Sequence, residues 1–582
     1  MASLYGSMTD PPVRDLESLP LPLALRPLLK RLIALPESDV SDDDILAIML
    51  IVRMGDAMHK NAYATFLIKS FVDELRRKLN VHELDLELEV SATRWTYLQG
   101  TLMVYHRIAW DFDGYAMQSL SKIALGVLED NITVNEAFHL INETEKETQF
   151  TSFEKHYRNL PGRIALIPVL ASTGCTVYFG GTWVDFGFAI LTGTTAGVIH
   201  YICCRKPELA GIQDLLVSIS TAMISTMAMT LFPNAVCFPA QVLGTLFWFL
   251  YGISFMLSLY EMTQGLTMTG LTRFALAILN SFILAFGVVI GVWFAAYGGP
   301  NRFDLILQEC SNLDYAVDPK WFGLLYPIVA IGALMQMKVS MKYWGIGLIV
   351  QLTAAGGQYL LNDVWKQPLF VSNFLPAFMA TLMAHIMIQI TNTLKCSELA
   401  IPNMAYLFKD YKKRQSIRVE LPVRNLSKYK HYNKSKPSAR INFQDSGWAD
   451  TGLSTDGYVR NEKFQYQRSD LWFILIPALY LLVPGSSVWR IAFFSIVSST
   501  NGGGDDEFST QALLSGIFII GIGQVIGVRL ALSSLVVFQE FKRCFSSKKK
   551  DPVEESPPMS RSESFEIVKP ETPPFKDEDP ET

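Results

Sequence analysis

Apolar runs of roughly twenty residues recur about ten times after residue 160, and a bilayer core ~30 Å thick is crossed by about that length of helix. They lie at about 163–180, 183–202, 211–231, 240–260, 272–297, 321–338, 342–362, 370–392, 471–490 and 511–538. Only Gly180-Gly181-Thr182 separates the first two. One continuous helix there would overrun a membrane about twofold, so Gly180 and Gly181 are expected to form a tight turn. The predicted fold is mainly α: a polytopic membrane protein of about ten transmembrane helices behind a small soluble α+β domain.

Composition agrees. The chain is 50% hydrophobic and 18% charged, where a soluble chain carries nearer a quarter charged residues. The charges gather in residues 1–160, 395–470 and 540–582. A net charge of −5 over 582 residues implies no nucleic-acid partner. Seven cysteines without CxxC or zinc-type Cys/His spacing predict neither a disulfide framework nor a metal site, and no cofactor is expected. No apolar run at the start serves as a signal peptide, so the first 160 residues are expected in the cytosol.

Cytosolic loops are enriched in Lys and Arg, which orients the spans independently. With the N-terminal domain inside, Lys155, Arg158 and Arg163 flank span one, Arg205 and Lys206 follow span two, and Arg273 follows span four. Lys338 and Lys342 lie between spans six and seven, and residues 395–440 carry twelve basic against three acidic residues. The opposite loops carry Asp304, Glu309, Asp314 and Asp318, and then Asp505, Asp506 and Glu507. Both termini are therefore predicted inside a multi-pass protein whose membrane the sequence does not name.

The expected organisation is a disordered tail (1–40), a cytosolic α+β domain (41–160), a first five-helix half (161–300), an outer loop (301–320), a second half (321–392 and 470–540) interrupted by a basic cytosolic loop (393–469), and a disordered tail (541–582). Residues 44–78 read as one amphipathic helix. HELDLELEV (82–90) alternates like a strand and is expected to pair with 101–110 across a turn near Gly100. Helices are expected at 114–129 and 133–148, the second with Thr133 and Glu136 as a capping box. His59, His82, His106 and His139 are scattered and read as ordinary core or surface histidines. The basic loop is either a solvated positive-inside segment or a contact for anionic lipid headgroups. Cys203-Cys204 is either structural and buried or a palmitoylation site.

FILAFGVVIGV (282–292) and FIIGIGQVIGV (518–528) agree at seven of eleven positions without a gap. Tyr251-Gly252 in span four and Pro484-Gly485 in span nine stand at nearly the same offset before them. Together they predict a 5+5 duplication. A five-span unit ends opposite to where it began, so its copy is inverted, a plan that recurs in secondary transporters with substrate near the midplane. Gly or Pro-Gly inside a span frees backbone groups for a polar cavity.

Residues 44–300 resemble the threonine/serine exporter family, including fungal pheromone-regulated membrane proteins of that family. The resemblance rests on GDAMHKNAYATFL (55–67), ITVNEAFHLI (132–141), FGGTWVD (179–185) and EMTQGLTMTGLTR (261–273). Residues 321–540 resemble the second, exporter-type half. Relatives often have Pro-Gly in span four where this chain has Tyr251-Gly252, which weakens the case for a broken helix in the first half, while Gly252 allows close helix packing. It implies export of small hydroxy amino acids, or of dicarboxylates as in split bacterial relatives.

Polar groups inside spans are costly without a partner or water, which marks Asp185, Glu261, Arg273, Asn280, Gln351, Gln358, His385, Gln524 and Arg529. Asp185 and Glu261 are either coupling carboxylates or solvated helix ends. Arg529 either snorkels to the interface or holds a substrate carboxylate. His385 either titrates or makes an interhelical hydrogen bond. Gly180, Gly181, Gly252, Pro484 and Gly485 mark turns or helix breaks. No GxxxxGK[ST] loop offers direct ATP drive, and no enzyme activity is expected. The functional expectation is a secondary active exporter of a small polar amino acid or carboxylate, monomeric or homo-oligomeric. The alternatives are a channel and a non-transporting protein of signalling or cell fusion. An epitope inserted near residue 430 should be reached by antibody only after the membrane is permeabilised; outside exposure refutes the topology.

Overall fold

A computed structural model describes residues 25–33, 42–145, 150–295, 317–396, 471–482 and 510–547, with short gaps at 82, 91, 98–101, 109–110 and 234, and the single residues Pro22 and Phe493. Most of the loop at 393–469, the tail beyond 547 and Pro484-Gly485 lie outside the described residues. The chain forms two compact units, Met1–Ser533 and Ser534–Thr582; in the second, a helix continues to Ser547.

The soluble domain is built around one helix. α1 (Arg26–Ile33) buries Leu28, Leu29 and Leu32, so a packed helix lies inside the stretch expected to be a tail. α2 (Asp42–Lys60) is buried almost continuously from Ala47 to Val52, which makes it the core element rather than an amphipathic one. The single helix expected over 44–78 is two. α2 ends at Lys60, Ala62 takes a left-handed φ of 57°, and α3 runs Thr65–Lys78. Asn61 Nδ2 donates to the Ala57 carbonyl at 2.7 Å, occupying an acceptor that the helix end leaves open.

Three strands, β1 (Asp85–Leu88), β2 (Ala92–Tyr97) and β3 (Leu102–Arg107), form an antiparallel sheet in that order. β1 and β3 were expected to pair with each other. Instead both pair with β2, in registers such as Leu86↔Trp95 and Trp95↔Val104. The missed strand, ATRWTY, carries no simple apolar alternation, yet Thr, Trp and Tyr suit a pleated half-buried surface. α4 (Gly114–Leu128) is capped by Asp113, which accepts from Ala116 N. α5 (Val134–Glu145) receives a cap from Thr133 Oγ1, which accepts from Glu136 N at 3.3 Å.

A capping box at Thr151 and Glu154 starts α6 (Ser152–Arg158), which leads directly into the membrane region. There the helices are α7 (Leu160–Phe179), α8 (Trp183–Arg205), the short α9 (Pro207–Ala210), α10 (Gln213–Leu231), α11 (Phe238–Leu246), α12 (Gly252–Thr263) and α13 (Thr267–Ala295). α14 (Phe322–Gln336), α15 (Trp344–Tyr359), α16 (Leu369–Cys396), α17 (Leu471–Leu482) and α18 (Thr510–Ser547) follow. Gly180 ends α7 with a φ of 68°, which only a residue without Cβ adopts freely, and so makes the expected turn. Six of the described helices are long and apolar enough to cross a membrane, or seven if the bent pair Phe238–Phe249 and Gly252–Thr263 is one crossing. α14 and α15 are shorter, and α17 is described over 12 residues.

The membrane helices bury small and polar residues and expose large apolar ones. On α13, Ala277, Ser281, Ala285 and Gly291 face inward while Leu279, Phe286 and Trp293 are exposed. Lipid solvates large apolar groups as well as a core does, so close packing of small residues drives association instead. Gly287 and Gly291 of α13 lie against Leu215, Ser218, Ile219 and Ala222 of α10. Gly523 and Gly527 of α18 lie against Phe370, Phe374, Ala377 and Phe378 of α16. A Cβ at Gly291 would meet the Ile219 carbonyl oxygen at 2.4 Å, and one at Gly527 the Phe374 carbonyl oxygen at 2.4 Å.

Gly291→Leu should therefore lower the thermal midpoint of the detergent-solubilised protein by an amount equivalent to about 1–3 kcal/mol. Gly516→Ala, whose Cβ would meet only Leu369 at 3.8 Å, should leave it unchanged.

Candidate functional site

Among the described residues, polar groups in the membrane region assemble into three clusters. The first joins the start of α8 to the start of α11. Thr182 and Asp185 form a capping box, and the Asp185 carboxylate also accepts from Cys237 N at 3.0 Å. Asp185 is 0% exposed, which excludes a solvated helix end. Gln241, one turn into α11, is buried with its amide facing Asp185. One turn further, Thr245 pairs with Thr192 of α8 at 2.6 Å. Cys237 is disulfide-bonded, against the expectation from cysteine spacing. Cys203 is buried and Cys204 exposed, which departs from a buried pair.

Between α11 and α12 the chain bends by 56°. Gly252 was marked for a turn or break, although the missing Pro-Gly weakened the case for a broken helix in this half. Tyr251 accounts for it: its hydroxyl donates to Asp214 Oδ2 of α10 at 2.5 Å, and Leu250 before it adopts an extended ψ of 137°. A break in a span leaves carbonyls that need donors. The Phe247 carbonyl accepts from the Tyr480 hydroxyl of α17 at 2.7 Å, and the Tyr480 ring stacks on Trp248 with centroids 4.9 Å apart.

The second cluster sits at the described end of α17. The Leu482 carbonyl accepts from Gln524 Nε2 of α18 at 2.5 Å. Gln524 Nε2 and Gln358 Nε2 also reach Asn373 Oδ1 at 3.4 and 3.3 Å, so three amides from three helices share one network. Asn373 escaped the sequence reading because it lies early in its span, where polar residues are unremarkable.

The third cluster lies where α12 ends and α13 begins. Glu261 is fully buried, again excluding a solvated helix end, and Arg273 Nε donates to Glu261 Oε2 at 3.1 Å. Thr65, the first residue of α3, donates from Oγ1 to Glu261 Oε1 at 2.6 Å. Arg273 Nη2 reaches Thr65 Oγ1 at 3.4 Å. The guanidinium of Arg529 lies 5.7 Å from the Tyr260 ring centre, a cation–π placement.

The remaining candidates stay apart from these clusters. Asn280 is half-buried on α13, and Gln351 is fully buried on α15. His385 bonds to Gln389 one turn along its own helix at 2.7 Å, not across helices. Sequence reasoning also missed Asp56, whose carboxylate binds Thr93 Oγ1, Trp95 Nε1 and His106 Nδ1 at 2.7, 3.0 and 2.7 Å and staples the sheet to α2. Scattered histidine positions hid this meeting of α2 with β2 and β3.

Residues 49–295 match the family model described as "Putative threonine/serine exporter". This segment is similar to the threonine/serine exporter family. An uncharacterized protein of Schizosaccharomyces pombe is 25% identical over 278 residues, 45% of this chain and 32% of its own length. Pheromone-regulated membrane protein 10 of Zygosaccharomyces rouxii is 23% identical over 185 residues, 32% of this chain and 18% of its own length. The Saccharomyces cerevisiae protein of that name is 24% identical over 185 residues, 31% of this chain and 47% of its length. The chain thus spans less than half the length of these relatives. No solved structure matches it. The matched segment contains Asp185 and both sides of the third cluster: Thr65 from the N-terminal domain, and Glu261 and Arg273 from the membrane helices.

His59 lies at this junction inside the matched segment. It is 3% exposed, and burial, reinforced by the Arg273 charge, lowers its pKa to about 4 against the opposing pull of Asp56 and a hydrogen bond to the Val90 backbone. A lowered folded-state value favours the neutral ring. The resulting stability is fully present above about pH 6.5 and declines as pH falls from there towards 4, by up to about 3 kcal/mol at 1.36 kcal/mol per unit. Thermal midpoints of the wild type should fall across that window, and His59→Asn, which cannot titrate, should flatten the fall.

Proposed function

We propose that this protein is a secondary active exporter of small polar amino acids such as threonine and serine, built from two inverted five-helix halves that alternate access. The observation that carries this reading is the paired glycine packing. Gly287 and Gly291 seat α13 on α10, and Gly523 and Gly527 seat α18 on α16, with partner positions displaced in step. In the ten-span reading these are the third and fifth helices of each half. The central helices support the same plan. α17 runs antiparallel to the bent pair, since Trp472 meets Tyr260 while Tyr480 meets Phe247 and Trp248. Inverted repeats and broken helices of this kind accompany substrate sites near the midplane.

Placement of the soluble domain supports the orientation. It contacts the inner end of α12 and α13 through Thr65, and the loop between α14 and α15 through Gly114 and Tyr115, whose N–H groups donate to the Met337 and Lys338 carbonyls at 3.0 and 3.3 Å. Both sites therefore share one side, as the positive-inside count requires. Disulfide bonding of Cys237 fits an outer location for the start of α11.

The amide network of Gln358, Asn373 and Gln524 favours an uncharged or zwitterionic ligand group, which amides bind without an excess counter-charge. A dicarboxylate exporter calls for cations there. A non-transporting role in signalling or fusion takes its support from the relatives' names alone. Radiolabelled threonine and serine should leave proteoliposomes saturably, faster with a pH gradient, and Gln524→Ala should slow that flux by about tenfold or more, as expected for loss of a buried hydrogen-bonding partner. Absence of saturable flux for amino acids and dicarboxylates alike refutes transport.

A further inference from the structure

The soluble domain does more than sit beneath the membrane helices. Its Thr65-Phe66 step enters the inner end of the seam between the central helices. The Phe66 ring lies 5.0 Å from Tyr260 of α12 and 5.6 Å from Trp472 of α17, and those two rings are 5.2 Å apart. One residue earlier, Thr65 caps the Glu261–Arg273 pair. Three rings thus close the seam where the two proposed halves meet, and one of the three belongs to the soluble domain.

The two attachments of this domain differ in kind. At the α14–α15 loop the hold is broad. In addition to the two backbone bonds, Arg158 Nη1 donates to the Lys338 carbonyl at 2.9 Å, Lys338 Nζ meets Asp111 at 2.7 Å, and Tyr157 donates to the Val339 carbonyl at 3.0 Å. Glu154 accepts from Ser340 Oγ and Met341 N at 3.2 and 3.3 Å. Burial raises the Asp111 carboxyl, but Arg163 and Lys338 beside it outweigh that and hold it below the usual range. Opening this side would strand several charged and backbone groups.

At the seam the hold is narrow. Glu261 and Arg273 sit on α12 and α13 and pair with each other, so withdrawal of Thr65 leaves their charges compensated. A buried pair that stays intact avoids the penalty of an isolated buried charge. What withdrawal loses is the set of bonds that Thr65 makes with Glu261 and Arg273, one bond from the Thr269 hydroxyl of α13 to the Leu88 carbonyl, and the Phe66 ring contacts, none of which leaves a charge unpaired. The seam contact is thus the side that opens at the smaller cost, with the α14–α15 loop as its anchor.

We infer that Phe66 is a plug, supplied by the soluble domain and latched by Thr65, that closes the cytosolic end of the pathway between the two membrane halves and withdraws to admit substrate. The inference rests on the transport reading, but its geometry can be tested without flux. Ile476→Cys, one turn beyond Trp472 and 2% exposed, reports access to the seam. The full-length protein in inside-out vesicles is labelled with a membrane-impermeant maleimide, and the rate is corrected for the native cysteines using the parent without the reporter. Adding Phe66→Ala should raise the labelling rate about tenfold, whereas Phe66→Trp, which keeps a ring, should leave it near the parent value. Met256→Cys, fully buried one turn from Tyr260 on the facing wall, serves as a second reporter should the first fail to fold. An unchanged rate in Phe66→Ala, or an equal rise in both Phe66 variants, overturns the plug. A rise confined to Phe66→Ala in a protein that moves no amino acid upholds the plug and refutes the transport reading instead.

Discussion

The Glu261–Arg273 pair is the point on which the two parts of this molecule depend. Each charge is buried where α12 meets α13, where an unpaired ion is held only at a penalty of several kcal/mol. The pair settles two matters together. It joins α12 to α13 across their short connection, and it offers its remaining acceptor to Thr65 at the start of α3. A soluble domain that might have floated on a tether is thereby registered against the membrane helices. Phe66 follows from that registration, since the residue after Thr65 has nowhere to go but between Tyr260 and Trp472.

The same requirement, that no polar group in the membrane be left alone, organises the interior. Where α11 gives way to α12, the freed Phe247 carbonyl accepts a hydrogen bond from Tyr480, and at the last described residue of α17 the Leu482 carbonyl accepts one from Gln524. Each carbonyl is answered by a side chain from another helix. These bonds join helices distant in sequence and place hydroxyls and amides inside the bundle. Asp185 does the corresponding work at the start of α8 by tying it to Cys237.

Some of this was legible beforehand. The apolar runs, the turn at Gly180, the soluble α+β domain and the exporter-family resemblance all came from local pattern. Glu261, Arg273, Gln358 and Gln524 were marked because a polar side chain in an apolar run needs a partner, but the partners were not legible. Thr65 lies 196 residues from Glu261, and Leu482 lies 42 from Gln524. The split of 44–78 into α2 and α3 and the strand β2 were missed because each depends on what packs against it. Gly252 was marked for a turn or break, but the bond from the Tyr251 hydroxyl to Asp214 on another helix was not legible.

Sequence alone therefore determined that this chain lies in a membrane, and which segments carry the apolar faces, because hydropathy and small-residue spacing act within a few turns of one helix. Tertiary structure decided which polar groups meet, where the central helix breaks, and that the soluble domain reaches the seam. Those outcomes are set by donors and acceptors finding one another across the bundle, where burial makes an unanswered group too costly to keep.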